Sequence, residues 1–175
     1  MKSTVATRRA FAARLSALAL AAAAAASLAA LPLPAAAHET DCPFCKLKVV
    51  QDTKEQDNEV ALRYGRKRIE YRCVFCALSE AQTPQYPGDL TILAPSEKKG
   101  QPVVIERRGG AWSAPDGTLF VGVRASHDHC QVTYRAFTSR AAFDAHVAKN
   151  PVLLRDAKPL TLAQMVELAK PKQPK

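Results

Sequence analysis

Two C-x-x-C units carry most of the chemistry that this sequence could perform. They are Cys42–Cys45 (CPFC) and Cys73–Cys76 (CVFC), and residues 46–72 lie between them. Cysteine thiolates are preferred ligands of zinc and Cu(I). In an oxidising compartment each unit could instead close into a disulfide. The sequence therefore predicts either one shared site for a soft metal ion or two disulfides, and the spacing leaves both open.

The segment between the two units is longer than the gap of about 15–20 residues that is typical of zinc ribbons. It has room for a strand and a full hairpin, so the four cysteines can still converge. Cys73 and Cys76 are predicted to begin a helix, where residues i and i+3 share a face. A helix N-terminus also lowers thiol pKa values and favours the thiolate, which is the form that binds metals.

A third group of donors lies further along the chain, at His127, His129 and Cys130. In an extended segment the two histidines would point to one face and Cys130 to the other. We interpret them as additional metal ligands, and the alternative is a polar loop with a buried cysteine. His38 is a further candidate, because a free α-amino group and its imidazole could chelate Cu(II) together; the alternative is an unstructured terminus.

Residues 1–37 have the order of a cleaved secretory signal peptide. Basic residues precede an uncharged Ala- and Leu-rich run over 15–31, and Ala35 and Ala37 satisfy the signal peptidase preference. The adjacent arginines at positions 8 and 9 also resemble the twin-arginine export motif. The run is near the lower length limit for a membrane span, and we interpret it as a leader rather than an anchor. The mature chain is thus expected to begin at His38, exported and soluble.

The charge pattern does not suggest a nucleic-acid partner. The formal net charge is +9, from 25 Lys and Arg against 16 Asp and Glu, and the predicted leader holds four of the positive residues. The dense basic spots, at 66–68 and 107–108, fall at predicted turns. Nucleic-acid surfaces need a longer basic stripe with aromatic side chains between the charges.

The elements that would position these residues alternate between hairpins and short helices. Together they predict an α+β fold: one small domain over residues 38–170, built of antiparallel hairpins with two or three short helices. The order also allows two related β-β-α-β halves, and residues 171–175 are predicted to be a loose tail. Strands are predicted at 46–51, 59–64, 67–72, 90–93, 103–106, 118–123, 131–137 and 152–154, and helices at 73–81, 139–148 and 162–170.

Three segments resemble the nitrous oxide reductase accessory proteins of the NosL type. Residues 42–50 are similar to their C-x-x-C-G-M opening, 69–78 to the start of their cysteine-bearing helix, and 134–143 to their A-F-x-S segment. The resemblance implies an exported α+β protein that binds Cu(I) and supplies copper to a periplasmic enzyme. Cys42 and Cys45 would match its first motif and Cys73 its helix cysteine.

Two departures from that family concern the metal. Lys46 and Leu47 stand where the family has Gly-Met, and the segment 127–130 replaces a methionine-containing one. Imidazole and thiolate donors have thus taken the place of thioethers. This exchange keeps a soft donor set but could shift the preference from Cu(I) towards zinc or Cu(II).

Our first interpretation is an exported copper chaperone or scavenger without catalytic turnover, which delivers Cu(I) to an extracytoplasmic protein; zinc is the alternative metal. The predicted ligands are Cys42, Cys45, Cys73, Cys76, His127, His129 and Cys130.

Two other functions remain open. One is a thiol-disulfide oxidoreductase that uses the CPFC motif, although no strand-like segment precedes the motif as it does in glutaredoxin-type proteins. The other is an interaction module with a structural four-cysteine zinc site or two disulfides. The sequence does not indicate the oligomeric state.

Overall fold

The computed structural model describes residues 39–50, 59–124 and 132–171. The predicted α+β class is confirmed: the described residues form antiparallel strands and three short helices. The predicted leader, His38, the segment 127–130 and the end of the predicted tail, 172–175, lie outside the described residues. Within the described ranges, no helix is both long enough and apolar enough to cross a membrane.

The elements follow one another in short segments, most of them close to their predicted positions. The strands are β1 (Glu39–Asp41), β2 (Lys48–Val50), β3 (Val60–Tyr64), β4 (Lys67–Tyr71), β5 (Leu90–Ala94), β6 (Val103–Arg108), β7 (Ala111–Ser113), β8 (Leu119–Arg124) and β9 (Val132–Phe137). The helices are α1 (Val74–Ala81), α2 (Arg140–Lys149) and α3 (Leu162–Leu168).

The strands form three antiparallel sheets. Five of them have the order β4-β3-β5-β6-β7, while β1 pairs with β2 and β8 pairs with β9. Along β5 the side chains of Leu90, Ile92 and Ala94 are buried and those between them are half-buried. This alternation is that of a strand with one face on the core, and the core face lies against α1.

Helix α1 packs against β3, β4 and β5 and carries the second cysteine pair. Its buried face includes Val74, Ala77 and Leu78. Arg107 of β6 holds the far end of the helix, since its Nη1 donates to the carbonyl oxygen of Ala81 at 2.6 Å. Apolar burial on one face and this anchor fix the helix, so its first turn has a defined position over the sheet.

The β8–β9 hairpin and α2 form a smaller cluster of their own, built on Val121, Phe137, Phe143 and Leu154. The predicted helix starts are confirmed here: the Ser139 hydroxyl accepts from the backbone N–H of Ala142 at the start of α2. At α3, a capping box joins Thr161 and Gln164. Met165 of α3 is fully buried in the larger core beside α1.

Two predictions about strands are wrong. Residues 152–154 form a turn, in which Val152 and Leu153 are 84% and 70% exposed while Leu154 is buried. The backbone N–H of Leu154 donates to the carbonyl of Asn150, which closes that turn after α2. Conversely, β1 does precede the CPFC motif, where no strand was expected; its register pairs Asp41 with Lys48.

Candidate metal centre

The first cysteine pair lies in the tight connection between β1 and β2. The backbone N–H of Cys42 donates to the carbonyl of Leu47 at 2.8 Å, and that of Lys46 donates to the carbonyl of Cys42 at 2.9 Å. These two bonds close the turn and bring Cys42 and Cys45 to its inner side, where both are buried. The CPFC motif therefore forms a turn and does not open a helix.

Lys46 is the residue that makes this turn possible. Its φ is 61°, and among the described residues it is the one non-glycine with a positive φ. The left-handed region costs an L-residue roughly 1–2 kcal/mol. The Lys46 ammonium partly offsets this cost by donating to the carbonyl of Pro43 at 2.6 Å. The sequence thus places a strained lysine where the resembled family has glycine.

The second pair begins α1, as predicted. Cys73 is the N-cap residue, in extended conformation, and its side chain makes no capping hydrogen bond. Its carbonyl accepts from the backbone N–H of Ala77 at 3.2 Å, the first bond of the helix. Cys76 follows one turn later, on the face that points into the core. Both residues are buried.

The two pairs meet. The Sγ atoms of Cys42, Cys45 and Cys76 all lie within 4.8 Å of one another. Cys73 is outside this set of three, but its Sγ is 3.5 Å from that of Cys76. In a tetrahedral site with metal–sulfur bonds of about 2.3 Å, sulfurs lie roughly 3.8 Å apart. The cluster is therefore close to the spacing that a thiolate-bound ion needs, and none of the four cysteines is in a disulfide.

Cys42 is the thiol prepared to carry negative charge. The pKa of Cys42 is lowered from 9.0 to about 5. The largest cause is a hydrogen bond from Cys76; burial opposes the shift, and the backbone N–H groups of Cys45, Arg72 and Phe44 contribute to it. The thiolate is the form of cysteine that binds soft metals.

The other two sulfurs of the cluster keep their protons more tightly. Burial raises the pKa of Cys45. Hydrogen bonding with Cys42 and Cys73, followed by burial, raises that of Cys76. Three adjacent buried thiols cannot all ionise without a cation, because like charges at this distance repel strongly. A metal ion would supply that charge and release the remaining protons.

Aromatic side chains join the two cysteine motifs to each other and to β9. Phe75 of α1 meets Phe44 edge-on, with ring centroids 5.9 Å apart, and stacks on Tyr134 of β9 at 5.7 Å. Phe44 remains 41% exposed. These contacts help to hold the CPFC turn against the start of α1.

Two residues beside the cluster were not recognised in the sequence. Arg72 donates through Nη1 to the carbonyl of Lys48, while its buried Nε has no acceptor within the described parts of the chain. His146 lies in α2 and is half-buried. It lines a cavity of about 280 Å³ together with Arg72 and Cys73. Arg72 directly precedes Cys73, but no cysteine motif calls for an arginine there, and His146 lies far from the cysteines in the sequence.

Of the predicted ligands, the structure brings together Cys42, Cys45 and Cys76, with Cys73 next to Cys76. The remaining candidates, His127, His129, Cys130 and His38, lie outside the described residues. The flanking residues Arg124 and Val132 are described, and they pair as the last rung of the β8–β9 hairpin.

The fold is similar to that of a solved structure. The crystal structure of the mercury-bound form of MerB2 is similar with a TM-score of 0.50 and 17% identity, over 63% of this chain and 55% of that one. The chain thus spans little more than half the length of that protein, and at this identity the likeness shows the fold alone. No protein-family model matches the chain, and no curated protein matches it.

Proposed function

We propose that this protein is an exported carrier of a soft metal ion, most simply a copper chaperone or scavenger that holds Cu(I) for an extracytoplasmic recipient. The observation that carries the proposal is the convergence of Cys42, Cys45 and Cys76, with Cys73 at 3.5 Å from Cys76. Sulfur-only sites suit Cu(I) and zinc. The mercury-bound state of a protein with a similar fold agrees with a preference for soft metals.

The apo protein should be folded, which separates a carrier from a structural zinc module. The larger core includes the sheet face, α1 and Met165 of α3 as well as the cysteines. A domain of this size can bury enough surface to stand without a metal. A chelator is therefore expected to remove the ion without unfolding the chain, whereas a structural zinc module would unfold on chelation.

His127, His129 and Cys130 are proposed as additional ligands. Val123 of β8 and Thr133 of β9, which flank that segment and pair with each other, line the same cavity as Cys73. The test is the double variant His127→Ala with His129→Ala, measured against the parent by competition with a Cu(I) chelator. Weaker binding at pH 7 but not at pH 5 supports the proposal, because imidazole binds metals only above its pKa of about 6.5; unchanged binding at pH 7 contradicts it.

The main experiment is metal analysis of the exported protein, followed by Cu(I) and Zn²⁺ titration of the reduced form. We expect one tightly bound ion per chain, and its loss in the variant Cys73→Ser with Cys76→Ser. Ala77→Ser is the matched control, since it buries a hydroxyl in the same turn of α1 without removing a thiol. Equal metal content in the double variant and in the control would exclude the site.

A second function, thiol-disulfide exchange, is favoured by one observation, the lowered pKa of Cys42. Its burial and the turn conformation of the CPFC motif oppose it. Measurement of disulfide reductase activity in the metal-free protein discriminates the two: activity that is lost in Cys42→Ser but kept in Cys76→Ser supports exchange over metal carriage.

A further inference from the structure

A cavity of about 280 Å³ lies beside the thiol cluster and has Cys73 in its wall. It reaches the surface, because the exposed side chains of Leu153 and Arg135 also line it. Small-molecule sites in proteins range from roughly 300 to 1,000 Å³, so this cavity fits only a small ligand. Of the described cysteines, Cys73 alone lines this cavity.

The charged groups in the wall of this cavity are positive. Arg72 comes from the end of β4 and Arg135 from β9, and the described residues that line it include no carboxylate. Arg72 Nε is buried and has no acceptor among the described residues. His146 is also in the wall, and its pKa is lowered by burial and then by Arg135 and Lys149. The cavity therefore combines a thiol, two guanidinium groups and a neutral imidazole.

We propose that this cavity receives the metal as a complex with a small carboxylate-bearing thiol, and that Cys73 is the first sulfur of the protein to bind it. The guanidinium groups bind the carboxylate of the carrier, as Arg does in many carboxylate sites. The inference rests on the proposed function, since it describes how the same thiol cluster is loaded.

The loading step is a ligand exchange without redox change. Cys73 attacks a metal ion held by two carrier thiolates, one carrier thiolate leaves, and the proton of the Cys73 thiol ends on that leaving group as a free thiol. Cys76, 3.5 Å from Cys73, then displaces the second carrier in the same way. The ion is now next to Cys42 and Cys45, which complete the site.

The test compares two carriers that differ in the carboxylate. Reduced metal-free protein is mixed with the Hg(II) complex of 3-mercaptopropionate or of 2-mercaptoethanol, and transfer is followed by stopped-flow ultraviolet absorbance of the Hg–thiolate bonds. A positive cavity should accelerate transfer from the carboxylate carrier by about three- to tenfold, a modest case of electrostatic steering. Equal rates for the two carriers would overturn the proposal.

Arg135→Gln should bring the ratio of the two rates close to one. Arg63→Gln is the matched control, since Arg63 is also an exposed strand arginine but does not line the cavity. If Arg135→Gln keeps the rate ratio of the parent protein, as Arg63→Gln should, the guanidinium of Arg135 does not bind the carrier and the proposal fails.

The order of the thiols is tested with Cys73→Ser and Cys45→Ser. Serine is a good N-cap residue, so the first variant should keep α1 folded. We expect Cys73→Ser to slow the first phase of transfer about tenfold or more. Cys45→Ser should leave the rate of that phase within about twofold, because Cys45 contacts the metal only after the first phase is complete. A larger effect of Cys45→Ser than of Cys73→Ser on the first phase overturns the assignment of Cys73.

If Hg(II) and Cu(I) both fail to bind at equilibrium, the proposed function itself is wrong. If they bind but transfer shows no preference between the two carriers, only this inference is wrong.

Discussion

The Cys42–Cys45 pair is held by a turn, whereas the Cys73–Cys76 pair is held by the first turn of a helix. The pKa of Cys42, in the turn, is lowered to about 5, first by a hydrogen bond from Cys76 and then by the backbone N–H groups of Cys45, Arg72 and Phe44. In the helix, hydrogen bonding with Cys42 and Cys73, followed by burial, raises the pKa of Cys76. Two pairs with identical spacing thus give one sulfur, that of Cys42, with a lowered pKa and one, that of Cys76, that would lose its proton only when a cation binds. The same motif does not imply the same electrostatic role.

The largest effect should come from the loss of Cys76, whose sulfur lies near those of both cysteines of the first pair and of Cys73. Cys76 lies within reach of Cys42, Cys45 and Cys73. We expect Cys76→Ser to weaken Cu(I) binding by at least about a hundredfold, since one of the few thiolates that bind the soft ion is lost. Competition titration with a Cu(I) chelator measures this, with Ala77→Ser as the control. If Cys76→Ser and the control bind alike, the two pairs do not act on one ion.

The difference in charge between the pairs can be measured directly in the metal-free protein. Thiolate absorbance should show a titration step near pH 5 that Cys42→Ser removes, while Cys45 and Cys76 ionise at higher pH. A titration without any step below pH 7 would contradict the lowered pKa of Cys42.

The same shift links pH to stability. The folded pKa of Cys42 is below its unfolded value, so the unfolded chain binds more protons between about pH 5 and 9. In this window the contribution of Cys42 to the free energy of unfolding rises with pH and is lost as the pH falls through 5. Above pH 9 the raised pKa values of Cys45 and Cys76 act in the opposite direction. Urea unfolding of Cys42→Ser and of the parent across this range checks the sign.

The smallest effect concerns strain in the turn. Lys46→Gly should raise the free energy of unfolding by about 1 kcal/mol, because glycine adopts a φ of 61° without a steric cost. The lost hydrogen bond to Pro43 is exposed and offsets only part of this gain. The control is Lys48→Gly in β2, which should destabilise the chain, since glycine weakens a strand. A loss of stability in Lys46→Gly would show that the turn depends on the lysine side chain.

Much of this architecture follows from short-range patterns. The helix at Cys73, the caps at Ser139 and Thr161 and the hairpin at Gly65 depend on residues a few positions apart, and all were predictable. The convergence of the two cysteine pairs was one of the two arrangements that donor types and spacing left open, the other being two separate disulfides.

What could not be predicted depends on contacts between distant elements. Nothing in the sequence near Cys73 indicates that Arg135 and His146 would line a cavity with it. The unequal pKa values of Cys42 and Cys76 depend first on the hydrogen bond between their sulfurs, which come from distant parts of the sequence. The turn at 152–154 has the apolar composition of a strand, but no partner strand in the described residues pairs with it.

The small β1–β2 sheet has a consequence for the dynamics of the molecule. Its strands pair only with each other among the described strands, and it joins the rest through Val49 in the core and the bond from Arg72 to Lys48. An ion bound to both cysteine pairs would close a covalent ring through residues 46–72, so that β1–β2 could not open without breaking metal–sulfur bonds. Metal occupancy would then appear as slowed amide hydrogen exchange in β1–β2, while exchange in the five-stranded sheet stayed the same. The metal-bound and metal-free states would thus differ less in their folded structure than in how often the β1–β2 sheet opens.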